Sequence, residues 1–235
     1  MRNLLFAATA ATALALASPA SAGLIADYSI DGGANFVTIC SVASGSSCGA
    51  TLTVGGIELT LFGASSNSPG DAIDANVFQS TVQARNTSGL VQSIILRVGD
   101  IGYTNPVGNV NLLNNIAGTV TLGSPANLFS STACVNPTNA QSSCVGAGTV
   151  STPVIVANIT NPGTGDNSAT AFVGGLTGPY SLTQFLDITL GAGSQVNFSA
   201  SADIIPLAAP EPASLALIGV GMAALGMIRR RKRNA

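Results

Sequence analysis

Residues 23–206 predict an all-β fold, a sandwich or jelly-roll-like domain of about ten strands. Three observations carry that expectation. Short runs rich in Val, Ile, Thr, Phe and Leu are separated by clusters of Gly, Ser, Asn and Pro, which suits half-buried pleated strands joined by turns. In the best of these runs apolar and polar residues alternate with period two, so one face is buried and the other wet. No part of the body shows an apolar stripe at helical spacing; residues 111–117 come nearest and are short and Asn-rich. A β-solenoid is the competing arrangement, but its fixed repeat is not visible.

The first 22 residues stand outside that domain. Arg2 supplies a positive start, residues 4–17 are apolar, and Ala20-Ser21-Ala22 is the small-x-small pattern of a signal-peptidase site. Cleavage after Ala22 starts the mature chain at Gly23. A retained anchor is disfavoured because the apolar run is shorter than the roughly 20 residues a span needs.

Within the body the clearest strand is 194–204, where Val196, Phe198, Ala200, Ala202 and Ile204 alternate with polar neighbours. Residues 57–61 repeat the pattern after Gly55-Gly56, a hairpin turn that pairs them with 51–54. Further runs of strand character lie near 24–30, 35–39, 75–84, 90–98, 107–113, 117–122, 150–157, 168–173 and 180–190.

Cys40 and Cys48 flank a Ser/Gly-rich stretch, and Cys134 and Cys144 an Asn/Ser-rich one. An even count in an exported chain reads as disulfides. Of the three connectivities that four cysteines allow, the local pairs close two short polar loops and are the ones expected. Zinc is a poor fit, since neither spacing is CxxC and the chain has no His.

Charge is distributed unevenly. Residues 23–210 keep Arg85 and Arg97 against nine acids (Asp27, Asp31, Glu58, Asp71, Asp74, Asp100, Asp166, Asp187, Asp203), a formal −7 with no Lys and no His. Nucleic acid is thereby excluded as a partner, because phosphate neutralisation needs clustered cations. Catalytic arrangements built on His or Lys are excluded from the body as well. Glu58 with an Asp leaves carboxylate-based glycoside hydrolysis formally open, yet the body has no Trp and three Tyr, Tyr28, Tyr103 and Tyr180. No enzyme is expected.

Calcium remains an alternative. Residues 69–76 and 161–167 place Asp and Asn on Gly-containing stretches, which hard cations favour, but neither has EF-hand spacing. The same residue types cap turns by backbone hydrogen bonds. No cofactor is otherwise indicated.

The last 29 residues, 207–235, form a third region. Residues 213–228 are 16 without a charge, about 24 Å as a helix, followed at once by Arg229, Arg230, Arg231, Lys232 and Arg233. Short as it is, the run suits one transmembrane helix, with the basic cluster as a cytoplasmic stop that snorkels into headgroups. Pro210-Glu211-Pro212 sits at the outer boundary of that layout, held extended by its prolines. This order of motif, hydrophobic segment and Arg-rich end resembles the PEP-CTERM sorting signal of exported bacterial proteins. Ala209 stands where many members have Val. The resemblance implies recognition of Pro210, Glu211 and Pro212 by an exosortase, a membrane-embedded transpeptidase-like enzyme. It also implies a surface or extracellular-matrix destination in exopolysaccharide-producing bacteria.

Together these features lead to a non-enzymatic structural protein of the surface or biofilm matrix, exported through the inner membrane and processed by signal peptidase and exosortase. Its few charges and many Ser, Thr, Asn and Gly suit a domain living among neutral hydrated polymers. The alternative is a glycan- or calcium-binding module, for which an aromatic patch at Tyr103 or Tyr180 would speak.

Overall fold

The computed structural model describes residues 23–123, 127–141, 144–157, 159 and 162–207. In β13 (Gln195–Pro206) the alternation works as expected: Val196, Phe198, Ala200, Ala202 and Ile204 are buried and Asn197 is exposed. The same period, repeated in strand after strand, gives each sheet one apolar face. Two such faces can hide only against each other.

Thirteen strands, rather than about ten, make two antiparallel sheets among the described residues. Sheet I runs β10 (Ile155–Ala157), β8 (Leu128–Asn136), β12 (Tyr180–Leu190), β6 (Gln92–Tyr103), β1 (Leu24–Ser29), β2 (Val37–Val42), with the two-residue β9 (Val150–Ser151) beside β8. Sheet II runs β11 (Gly163–Leu176), β7 (Gly108–Leu122), β13, β5 (Ala75–Asn86), β4 (Ile57–Ser66), β3 (Ser47–Val54). From β5 onward the chain crosses between sheets at nearly every step, as in a jelly roll. Leu24, Leu59, Leu96, Leu112, Leu186 and Ile204 are fully buried in the single cluster between the sheets, each such side chain contributing about 1.5–3 kcal/mol by leaving water.

Two expectations needed correction. The runs near 107–113 and 117–122 are one strand, β7, because Asn114 and Ile116 in the supposed gap keep the inward alternation. Strand β8 had not been expected. Its inward positions are Phe129, Ser131, Ala133 and Val135, and a polar Ser among them hides the period in a Ser/Thr-rich segment.

That Ser belongs to a buried polar cluster joining the sheets. Gln184 of β12 donates from Nε2 to Asn114 Oδ1 of β7 at 2.9 Å, and Ser131 Oγ donates to the same oxygen at 2.9 Å. Gln79 of β5 donates to Gln184 Oε1 at 3.3 Å. Amides so placed are costly unless paired; these bonds favour the alignment of the sheets that makes them, although Gln79 Oε1 and Asn114 Nδ2 have no partner among the described residues.

The cysteines form two local pairs. Cys40 on β2 bonds Cys48 on β3, with Cα atoms 6.3 Å apart; since β2 and β3 are edge strands of different sheets, this bond clasps one side of the sandwich. Cys134 of β8 bonds Cys144 in the following loop, Cα to Cα 5.6 Å.

Candidate functional site

Pro210, Glu211, Pro212, the segment 213–228 and the basic residues from Arg229 to Arg233 lie outside the described residues, as does the segment 1–22.

The aromatic patch sought at Tyr103 and Tyr180 does not exist as a surface. Both rings are fully buried and stacked, centroids 5.5 Å apart. Tyr103 Oη donates to Asn76 O at 2.6 Å and Tyr180 Oη to Asn105 O at 2.8 Å, and burial raises both phenols above their ordinary range. They are core residues with a satisfied polar tip.

Neither calcium loop gathers ligands. Asp71 Oδ1 accepts the N–H groups of Ile73 at 2.7 Å and Asp74 at 2.9 Å, an Asx-type cap that holds its carboxyl below the usual range. Asp74 is engaged by the amides of Asn67 and Asn76. Residues 163–167 are strand β11, not a loop. No group of three or more His, Cys, Asp or Glu suited to a metal occurs among the described residues.

Glu58 sits on β4, cross-strand from Arg85 and Thr53.

Among several surface depressions, two that adjoin lie on the outer face of sheet II. Register stacks residues there in rows across the strands. Thr164, Thr119 and Asn197 form one row; Asp166, Ala117, Ser199 and Ser80 the next; Ser168, Asn115, Ser201 and Phe78 the third. Small side chains in the middle row leave two adjoining depressions, of about 370 and 200 Å³, which share Ala117, Asp166 and Ser199. From β11 to β5 the trough crosses four strands, roughly 14 Å at the usual strand spacing.

Its chemistry is mixed, with small apolar groups such as Ala117 between the polar ones. Hydroxyls and amides line it, Asp166 is the carboxylate among its described lining residues, and no cation is among them. Phe78, 39% exposed, offers an apolar edge at one end. Beside the trough, Ser201 Oγ donates to Asp203 Oδ2 at 2.8 Å, and Asn115 Nδ2 reaches the same oxygen at 3.3 Å. Burial pushes the Asp203 carboxyl above its ordinary range, and Asp74 adds to the effect. These contacts fix Ser201 and Asn115 in place before anything binds.

Sequence reasoning missed this trough. Asn197, Ser199 and Ser201 were visible as the wet face of the clearest strand, but wetness alone does not separate a binding face from an ordinary one.

No curated protein matches the sequence. Among solved structures, the chain resembles TmCBM61 in complex with β-1,4-galactotriose at TM-score 0.30 and 9% identity, over 60% of this chain and 85% of that one. A carbohydrate-binding module of the β-sandwich superfamily gives TM-score 0.27 and 9% identity over 73% and 66%. The enzymatically active domain of bacteriophage CBA120 tailspike protein 4 gives 0.29 and 8% over 62% and 19%, so the chain spans about a fifth of that protein. These likenesses are distant, and nothing those proteins bind or do is carried to this chain. At the other end of the molecule the match is direct: residues 208–232 fit the family described as the PEP-CTERM protein-sorting motif, and the chain carries that sorting signal in its C-terminal tail.

Proposed function

We propose that this is an exported, non-catalytic β-sandwich, delivered to the cell surface or extracellular matrix through its sorting tail, that holds a neutral polysaccharide against the outer face of sheet II. Signal peptidase removes residues 1–22, the segment 213–228 holds the chain in the membrane, and an exosortase acts at Pro210-Glu211-Pro212. The observation that carries the binding role is the cation-free trough lined by hydroxyls, amides and Asp166. A carboxylate and amides accept from and donate to sugar hydroxyls, and Phe78 can face the C–H side of a ring. Within the trough a polyanion finds no cation among the described lining residues and meets Asp166, with Asp203 beside it.

Electrophoresis of the exported protein through gels containing neutral glucan, galactan or mannan tests the binding, with polygalacturonate as the anionic comparison. Retardation by at least one neutral polymer, lost in Ser199→Trp, is the expected result. No retardation in any gel, or equal retardation of the Ser199→Trp chain, overturns the role assigned to the trough. Replacing Pro210-Glu211-Pro212 by three Ala should leave export intact and block tail processing, read by intact mass; unchanged processing removes the motif from that role.

A further inference from the structure

Asp100 on β6 is a fully buried carboxylate whose partners among the described residues are all neutral donors. Ser44 Oγ at 2.8 Å and Ile101 N at 2.7 Å donate to Oδ1; Gly45 N at 3.1 Å and Ser66 Oγ donate to Oδ2. Among the described residues the ion pair is Arg97 with Asp27, and Arg85 stands exposed at the outer face of sheet II. A buried carboxylate without a cation is expensive.

Gly23 is buried immediately beside it. A Cβ on Gly23 would collide with Ser44 Oγ and lie 2.6 Å from Asp100 Oδ1, so the Gly23 Cα is within about 4 Å of that oxygen. Gln141 donates to the Gly23 carbonyl and fixes the residue from the other side. Gly23 is also the residue that cleavage after Ala22 makes the first of the mature chain.

We infer that the Asp100 cradle is the binding site for the chain's own new α-ammonium. Hydrolysis of the Ala22–Gly23 peptide bond adds one water, leaves a carboxylate on the released segment and an amine on Gly23 that takes up a proton. One neutral N–H thus becomes an ammonium with three donors. Its nitrogen, one bond of about 1.46 Å from Cα, swings onto Oδ1 once the link to residue 22 is cut. Ser44 Oγ has one proton and a second acceptor in Ile101 O at 3.2 Å, so it can yield Oδ1 without losing its hydrogen bond. Gly is required at position 23 because any side chain would occupy the place of this contact. Removal of the leader therefore completes the fold rather than merely freeing it.

This inference rests on the export reading, and the test separates the two. Lys232 is the single Lys of the chain, so acylation by an N-hydroxysuccinimide ester, followed by peptide mass mapping, reports on the α-amine without interference from the body. In the exported, purified protein the Gly23 amine should react at least tenfold more slowly than in the same protein unfolded in urea. It should become freely reactive in Asp100→Asn. Because that variant can lose its fold, a second one carries an extra Ala inserted after Ala22, leaving Asp100 untouched and starting the chain one residue early; its amine should also react freely. A mature chain starting elsewhere than Gly23 overturns both the cleavage site and the pairing. A chain starting at Gly23 whose amine reacts equally fast folded and unfolded overturns the pairing alone.

Discussion

The two outer faces of the sandwich are built from the same kind of strand and differ in how far the chain covers them. On sheet I, Arg97 is bound to Asp27 through Nε at 3.1 Å and Nη2 at 2.5 Å. Phe36, from the loop after β1, lies over the guanidinium at 3.8 Å and meets Phe185 edge-on at 6.2 Å. That loop is tied by Asp31, whose carboxylate accepts from Ser29 Oγ at 2.6 Å and from Asn35 N at 2.9 Å. The Arg97 region of sheet I is thus covered by its own chain, while further along the same face Ser93, Asp187 and Thr189 border a depression of about 250 Å³. On sheet II a cross-strand row consists of Ala117, Ser199, Ser80 and Gly63, and nothing folds over it among the described residues. Where large side chains and an ion pair meet, the face is closed by folding; where a row of small side chains crosses several strands, it stays open.

Breaking the covered face should cost most. Arg97→Leu strands Asp27, 3% exposed, without its partner, and a loss of about 3 kcal/mol in urea unfolding is expected. Ser199→Ala on the open face should move stability by no more than about 0.5 kcal/mol, and similar losses from the two changes would erase the distinction. Opening the clasp between the sheets with Cys40→Ser and Cys48→Ser should cost about 2.5 kcal/mol on the loop-entropy account.

A smaller effect of opposite sign is expected from Asp203→Asn. The folded-state pKa of Asp203 is raised by burial, so the native state holds its proton longer than the unfolded chain, and stability falls as pH rises through that interval. The Asn variant should therefore be the more stable protein at pH 7, by up to about 0.5 kcal/mol, and should lose this advantage below the ordinary carboxylate range. A melt series at pH 3 and pH 7 reads it.

The smallest effect is local. Hydrogen bonds from Ser29 and Asn35 lower Asp31 to about 2. Its contribution is complete above the ordinary pKa and disappears as pH falls through about 2. Carbon-detected NMR titration should find that midpoint, with Phe36 resonances shifting alongside it as the loop loosens.

How much of this was legible depended on where polar residues pointed. The all-β class followed from alternation, and strand β13 showed it without exception. The alternation failed as a signal in β8 and in the middle of β7, where Ser131 and Asn114 face inward. These belong to the cluster that joins the sheets, and burying a polar side chain is only sensible once its partner on the other sheet is known. The tyrosines misled for a related reason: a ring that stacks on another ring in the core and one that offers a platform outside have the same letter. The trough was not legible because it is made of residues with no distinction of type, and becomes a site only when register sets Asp166, Ala117 and Ser199 side by side.

Strand β13 has a mechanical consequence. It supplies Asn197, Ser199 and Ser201 to the trough, and it ends at Pro206, two residues before the sorting motif begins at 208. A polymer held on that face and a tether at the tail would therefore pull on the same strand. β13 is hydrogen-bonded on both sides, to β7 and to β5, over most of its length. Tension along it shears both ladders at once instead of peeling them bond by bond. Under the proposed role the load would pass from face to tail within sheet II, leaving the core between the sheets out of its path.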